Sequence, residues 1–233
     1  MIRVLVIIPC FNEEASVEDV IDGVRKFLPD AQLLVIDDGS TDDTYQKALA
    51  AGAKVLRHPI NLGIGVTVQT GYKYALRNGY DIVVQVDGDG QHLPVFLPEL
   101  ITPLTHGQAD MVIGSRYFQS SRLKGRVSSI GRVIGSSFLT TMIHLLSGKN
   151  LFDSTSGFRA VGKPLIKAFA ENYPYDYPEP VSALWAISRG YAVAEIPVQM
   201  APRVTGRSSI SPVHSVIYIL KVTWTMCLNR IYR

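Results

Sequence analysis

A chain of 233 residues with 47% hydrophobic and 18% charged residues is long enough to bury one good core and too apolar to be disordered, so one domain or a small two-domain protein is expected. Its two cysteines, Cys10 and Cys227, lie far apart, which fits a reduced cytosolic compartment and argues against a disulfide framework. The formal net charge is only +3, and no nucleic-acid partner is expected.

The first half alternates short apolar runs with amphipathic ones. Strand-like runs are Arg3–Ile8, Gln32–Ile36, Ala53–Arg57, Asp81–Val86 and Asp110–Gly114, and helix-like stretches lie near Glu14–Leu28, Asp43–Ala51, Ile64–Asn78 and Leu93–Leu104. The run Val4–Ile8 is too short for a signal peptide and is ended by Pro9, so export is not expected. This βαβα order predicts an α/β fold with an open, mostly parallel sheet and helices on both faces. In such sheets ligands bind beyond the carboxyl ends of the strands. Pro9–Glu13, Asp37–Thr41, Asp87–Gln91 and Ser115–Arg116 all fall at strand ends, so four polar loops are expected to share one edge.

Past residue 115 the pattern changes. Residues 128–147 and 213–231 read as helices with a narrow polar stripe and a wide apolar arc. Neither reaches the roughly 18 charge-free residues of a membrane span. Residues 111–152 carry six Lys or Arg and no acid, and 196–233 carry five and no acid. Basic, wide-arc helices fit an interfacial role at a membrane surface, and for the C-terminal helix burial in an oligomer interface fits equally. The stretch Pro197–Pro212 reads as a linker.

Asp87-Gly88-Asp89 is the most informative segment. Two carboxylates one residue apart suit a hard divalent cation, Mg²⁺ or Mn²⁺, shared with a substrate diphosphate. Asp37 and Asp38 close the second strand run, where an acid can accept from a ribose hydroxyl or a base N–H. Thr41 or Asp42 is expected to cap the following helix, and Glu14 and Glu18 to complement a helix dipole. Asn61-Leu62-Gly63-Ile64-Gly65 lacks the dinucleotide spacing, which argues against NAD. Its glycines are expected to permit a tight turn and close approach to a nucleotide.

Ile-Pro-Cys-Phe-Asn-Glu (8–13), Asp-Asp-Gly-Ser-Thr-Asp (37–42), Asn-x-Gly (61–63), Asp-Gly-Asp-Gly-Gln-His (87–92), Gly-Ser-Arg (114–116), Thr-Ser-Gly-Phe-Arg (155–159) and Arg-x-x-Gly-x-Ser (203–208) occur in this order. The set resembles glycosyltransferase family 2, and within it the dolichyl-phosphate mannose synthase-like branch that charges polyprenyl phosphates. The resemblance implies a GT-A fold over 1–209, a C-terminal amphipathic helix over 210–233, and inverting transfer of a sugar from a nucleotide diphosphate. By position, Pro9, Glu13, Asp37, Asp38 and Asp87 would bind the nucleotide sugar, and Asp87, Asp89 and Gln91 the metal. Arg116, Arg132, Ser136 and Arg203 would contact the acceptor phosphate. Asp89, Arg116 and Asp153 would carry catalysis, Asp153 by gripping sugar hydroxyls or assisting as a base.

Ser209 stands where the family often has a lysine, which leaves one phosphate contact either missing or supplied by Arg207. Tyr-Pro-Glu-Pro at 177–180 resembles short bacterial members that act on undecaprenyl phosphate for cell-wall or surface polysaccharide. The expected donor is a UDP-sugar carrying a hexose or N-acetylhexosamine. Attachment is expected to be peripheral, on the cytoplasmic face of the cell membrane, with room for a small membrane-protein partner and for homo-oligomerisation. The alternatives are a family member with a saccharide acceptor and a noncatalytic sugar-nucleotide-binding protein.

Overall fold

The computed structural model describes residues 2–117, 130–202 and 221–226, apart from the side chains of 130–134 and 136. Among them, seven strands form one sheet in the order β3–β2–β1–β4–β6–β5–β7. These are β1 Val4–Cys10, β2 Gln32–Asp37, β3 Lys54–Arg57, β4 Ile82–Gln85, β5 Met111–Ser115, β6 Arg159–Gly162 and β7 Val193–Pro197. The helices are α1 Val17–Phe27, α2 Thr44–Ala50, α3 Ile64–Arg77, α4 Leu97–Thr105, α5 Ile130–Ser147, α6 Lys163–Glu171 and α7 Pro178–Ser188.

Central strands read as unbroken apolar runs because both faces are covered. Alternation sends Leu5, Ile7, Leu34 and Ile36 into one core with α3, α6 and α7. Val6, Ile8 and Val35 face the other way and pack on α1 and α4. Strands β1 to β4 run parallel, with Val6 registered against Leu33 and Val84. Strand β6 is antiparallel to both neighbours, and its Ala160 sits between Val84 and Val112. The strand order reverses between β1 and β4, so a crevice opens at their carboxyl ends.

The five expected strands and the helix over 128–147 are present within a few residues of their expected bounds. Strands β6 and β7 and helices α6 and α7 are additions. The expected linker is corrected at its start: Pro197 closes β7, Val198 is buried, and Ala201 N donates to Gln91 O at 2.9 Å. Residues 203–220 and 227–233 lie outside the described residues, so the expected C-terminal helix is covered only at 221–226, which is helical. Its Val222 and Met226 join the core beside Leu139 and Ile143 of α5, while Phe138, Leu145 and Trp224 are exposed. Among the described residues no helix is long and apolar enough to cross a membrane.

Candidate active site

The loops after β1 and β2 are stitched together by side chains. Asn12 adopts a left-handed conformation (φ 56°), which Asn tolerates better than most residues. Its Oδ1 accepts from Thr41 N at 2.9 Å, and its own N–H donates to Ser40 Oγ at 3.0 Å. Glu13 N donates to Thr44 Oγ1 at 2.8 Å. Asp42 accepts from Thr44 N at 3.0 Å and Glu14 N at 3.2 Å. Partial burial pushes its carboxyl up, but the hydrogen bond from the Thr44 hydroxyl, followed by these backbone bonds, prevails and lowers its pKa. The expected cap at Thr41 or Asp42 is thus corrected: the N-cap of α2 is Asp43, which makes no side-chain cap bond, and Asp42 holds the first helical N–H from one position before it.

A cavity of about 770 Å³ opens at the switch point, lined by Pro9, Glu13, Asp38, Asn61, Asp87 and Asp89 among others. Gly88 is indispensable to its floor. A Cβ there would lie 2.5 Å from Cys10 Sγ and 3.2 Å from Pro9 O, so only glycine lets the Asp87–Asp89 turn sit this close to β1. Gly88 N donates to Pro9 O at 3.2 Å, and Ser16 Oγ donates to Gly88 O at 2.6 Å. Burial, then the charges of Glu13, Asp37 and Asp87, push the Cys10 thiol well above its usual pKa. Cys10 is an inert packing group here.

Both acids of the pair are positioned. Asp87 Oδ1 accepts from Gln85 Nε2 at 3.0 Å, and its Oδ2 lies 3.6 Å from His92 Nε2. Because Asp87 N donates to His92 Nδ1 at 3.0 Å, Nε2 is the nitrogen that carries the proton and faces the carboxylate. The ring stacks on Phe158 at 4.8 Å. Asp89 Oδ1 accepts from Gln91 N at 3.0 Å.

The donor set fits a hard cation. Two oxygen-only acids line an open cavity, and no group of three or more His, Cys, Asp or Glu able to hold a metal exists among the described residues. Mg²⁺ and Mn²⁺ commonly take one or two carboxylates and fill the remaining positions with water and phosphate. Gln91 is not among the cavity-lining residues, and its Nε2 donates to Ala201 O at 3.4 Å.

Asp37 and Asp38 part company. Asp37 is fully buried below the cavity wall, accepting from Ser40 N at 3.0 Å and paired with Arg57 Nε at 3.0 Å. Asp38 reaches the cavity but also fastens the loop before α3, accepting from Leu62 N at 2.9 Å and Gly63 N at 2.8 Å. That loop is therefore not a phosphate cradle at these two N–H groups. Gly63 is required by its φ of 88°. Gly65 serves packing, because a Cβ would overlap the carbonyls of Pro174 and Tyr175.

At the end of β5, Arg116 lies against Asp153. Nε and Nη2 donate to the two carboxylate oxygens at 2.6 and 2.7 Å, and Nη2 also donates to Thr155 Oγ1 at 2.7 Å. Burial lowers the Arg116 pKa, but the hydrogen bond and charge of Asp153 outweigh it and the net shift is upward. Asp153 is fully buried. Its own N–H donates to Glu195 Oε1 at 2.8 Å. In this arrangement Asp153 offers no accessible oxygen to a sugar hydroxyl or a proton in flight, and it acts as the residue that orients Arg116.

Two further groups stand in motifs quoted above, Arg159 in Thr-Ser-Gly-Phe-Arg and Glu179 in Tyr-Pro-Glu-Pro, but were assigned no site role from the sequence. Arg159 is the largest fully buried side chain among the described residues. Its Nη1 donates to Glu179 O at 3.1 Å and Ser182 Oγ at 2.9 Å, and Nη2 to Ser156 O at 2.6 Å. Glu179 follows Tyr177, whose left-handed backbone (φ 52°) precedes Pro178, a costly conformation of the kind found at functional sites. Burial raises the Glu179 pKa, Arg159 and Arg116 lower it, and Asp87 raises it, so Glu179 shares the electrostatic field of the site. The connecting loop passes directly under the acid pair: a Cβ on Gly157 would lie 3.1 Å from Asp87 Oδ2. The backbone of Arg132 and Ser136 belongs to α5, but their side chains and all of Arg203 lie outside the described residues.

The family model of glycosyl transferase family 2 matches residues 5–169. The polyprenol monophosphomannose synthase of Mycolicibacterium smegmatis is 30% identical over 222 residues, covering 90% of this chain and 81% of that protein. The undecaprenyl-phosphate mannosyltransferase of Micrococcus luteus is 32% identical over 219 residues, covering 90% and 88%. A crystal structure of glucosyl-3-phosphoglycerate synthase from Mycobacterium tuberculosis with Mn²⁺, UDP and phosphoglyceric acid superposes with a TM-score of 0.73 at 25% identity, covering 98% of this chain and 78% of that one.

Proposed function

The chain belongs to glycosyl transferase family 2 and has the GT-A fold of a glycosyltransferase, and on that footing we propose that it transfers a hexose or N-acetylhexosamine from a UDP-sugar to a polyprenyl phosphate, with inversion, at the cytoplasmic face of the membrane. The observation that carries this reading is the convergence of Asp87 and Asp89 on the switch-point cavity. Two curated relatives, covering 90% of the chain, are named for sugar transfer to a polyprenol or undecaprenyl phosphate. The exposed apolar residues Phe138, Leu145 and Trp224, in acid-free basic windows, support work at an anionic lipid surface.

In this reading Asp87 and Asp89 hold Mg²⁺ or Mn²⁺, which supplies charge neutralisation for a leaving diphosphate. Pro9, Glu13 and Asp38 border the nucleotide, with Asp37 and Arg57 supporting the wall from below. Arg116 is presented ready-oriented by Asp153, and its Nη1 has no hydrogen bond among the described residues, so it is available to a phosphate. Arg132, Ser136 and Arg203 are proposed to complete the acceptor side. An acceptor that is already an anion needs no strong general base. A saturated, buried Asp153 agrees with that requirement.

The test is a screen of radiolabelled nucleotide sugars with undecaprenyl phosphate and Mn²⁺ or Mg²⁺. Label extracted into the organic phase from a UDP-sugar, and lost in Asp89→Ala of unchanged fold, is expected. Transfer only to a soluble phosphorylated acid, as the name of the structural neighbour suggests for that enzyme, would replace the acceptor assignment. Full activity of Asp89→Ala would remove the metal site.

A further inference from the structure

His58 lies outside the cavity lining, yet it ties two of its walls together. Its Nδ1 is 2.7 Å from Asp38 Oδ1 and its Nε2 is 3.1 Å from Thr70 Oγ1. An ionised carboxylate only accepts, so Nδ1 carries a proton. Asp38 therefore gathers three donors: this ring and the N–H groups of Leu62 and Gly63. Through them the end of β2, the loop 58–63 and helix α3 are bound into one unit. Asn61, Gly63, Ile64 and Thr67 of that unit line the cavity.

Apolar burial does not hold this loop. Ile60 and Leu62 expose 63% and 43% of their surface, so the loop lacks the anchoring core residues that fix an ordinary connection. Polar bonds hold it instead: the backbone bond from His58 N to Asp37 O at 2.8 Å and the side-chain clamp, whose ring is 12% exposed and carboxylate 5%, shielded enough for a charge-assisted hydrogen bond to keep its strength. The geometry points to His58 as the positioning residue of the donor pocket, fastening through Asp38 the loop that forms the nucleotide wall. It rests on reading the cavity as the nucleotide pocket.

The experiment is calorimetric titration of UDP with Mn²⁺ into the full chain, alongside hydrogen exchange at Leu62 and Gly63. His58→Ala is expected to weaken UDP about tenfold, the equivalent of about 1.4 kcal/mol, and to lose protection at both amides. The acceptor KM and the rate at saturating donor stay within about twofold, since a charge-assisted hydrogen bond is removed only on the donor side. His58→Asn, whose amide nitrogen takes the place of Nδ1, restores most of the affinity. His58→Gln, which reaches Thr70 in place of Asp38, does not. This last pair carries the test if His58→Ala fails to fold. A wild-type chain that binds no UDP sinks the pocket reading and the proposal with it. UDP binding that is equal in wild type and His58→Ala, or Gln restoring where Asn fails, sinks the proposal alone.

Discussion

Arg116 and Asp153 form a two-pronged ion pair, with Nε to Oδ2 at 2.6 Å and Nη2 to Oδ1 at 2.7 Å, beside a backbone bond from Arg116 N to Oδ2 at 3.1 Å. Two guanidinium bonds to one fully buried carboxylate fix the guanidinium plane, and the backbone bond steadies that carboxylate, so a phosphate meets a cation already aimed. Asp153→Asn should cost about 3 kcal/mol, near the lower end for a broken buried pair because Arg116 keeps some solvent access. Denaturant unfolding measures this. Arg116→Lys should lose turnover while keeping part of the stability, because an ammonium cannot reproduce the fork. Equal stability of wild type and Asp153→Asn would show that the pair positions nothing.

Gly88→Ala brings a Cβ to within 2.5 Å of Cys10 Sγ. Overpacking of this kind costs about 1–3 kcal/mol, and here it also tilts the turn that carries Asp87 and Asp89. Stability and Mn²⁺–UDP affinity should fall together. Adding Cys10→Ala should return part of both, because the sulfur is the nearest obstacle. The double-mutant cycle reads the coupling, and strict additivity would mean that the turn is held elsewhere.

Glu179 gives a pH-dependent prediction. Burial raises its folded pKa above the usual 4.5, and Arg159 only partly offsets this. For an acid shifted upward, the native state loses stability as pH climbs from the unfolded pKa through the folded one. Below the unfolded value the term vanishes. Glu179→Gln should therefore match wild type in acid and be more stable at neutral pH, by denaturant unfolding at both. If Glu179 also serves the reaction, the same variant is more stable and less active. A variant less stable at neutral pH contradicts the burial account.

Much of this was written in the chain. Apolar runs bounded by Pro9, Asp37 and Asp87 mark strand ends, and a parallel sheet must bring such ends to one edge. Strand β6 was hidden because it is short and opens with Arg159, a residue type that is seldom buried and here satisfies its charge on carbonyls and Ser182. Strand β7 was hidden by Glu195, whose carboxylate turns out to hold the backbone N–H groups of Phe152 and Asp153 at 2.7 and 2.8 Å. Asp37 and Asp38 look alike as neighbours in sequence. Alternation along the strand separates them, sending Asp37 to Arg57 and Asp38 to His58. Asp153 looked catalytic because it stands alone before a motif, and only the fold reveals that Arg116 takes up both of its oxygens.

In the proposed reaction the acceptor arrives already charged. The decisive comparison is between undecaprenyl phosphate and undecaprenol, the same lipid lacking the phosphate, under saturating UDP-sugar and Mn²⁺. Turnover is expected with the phosphate and none above background with the alcohol, because Asp153, the acid expected to serve as a base, is buried with both oxygens held by Arg116. Comparable turnover of the alcohol, or of a soluble saccharide in place of both lipids, would contradict it.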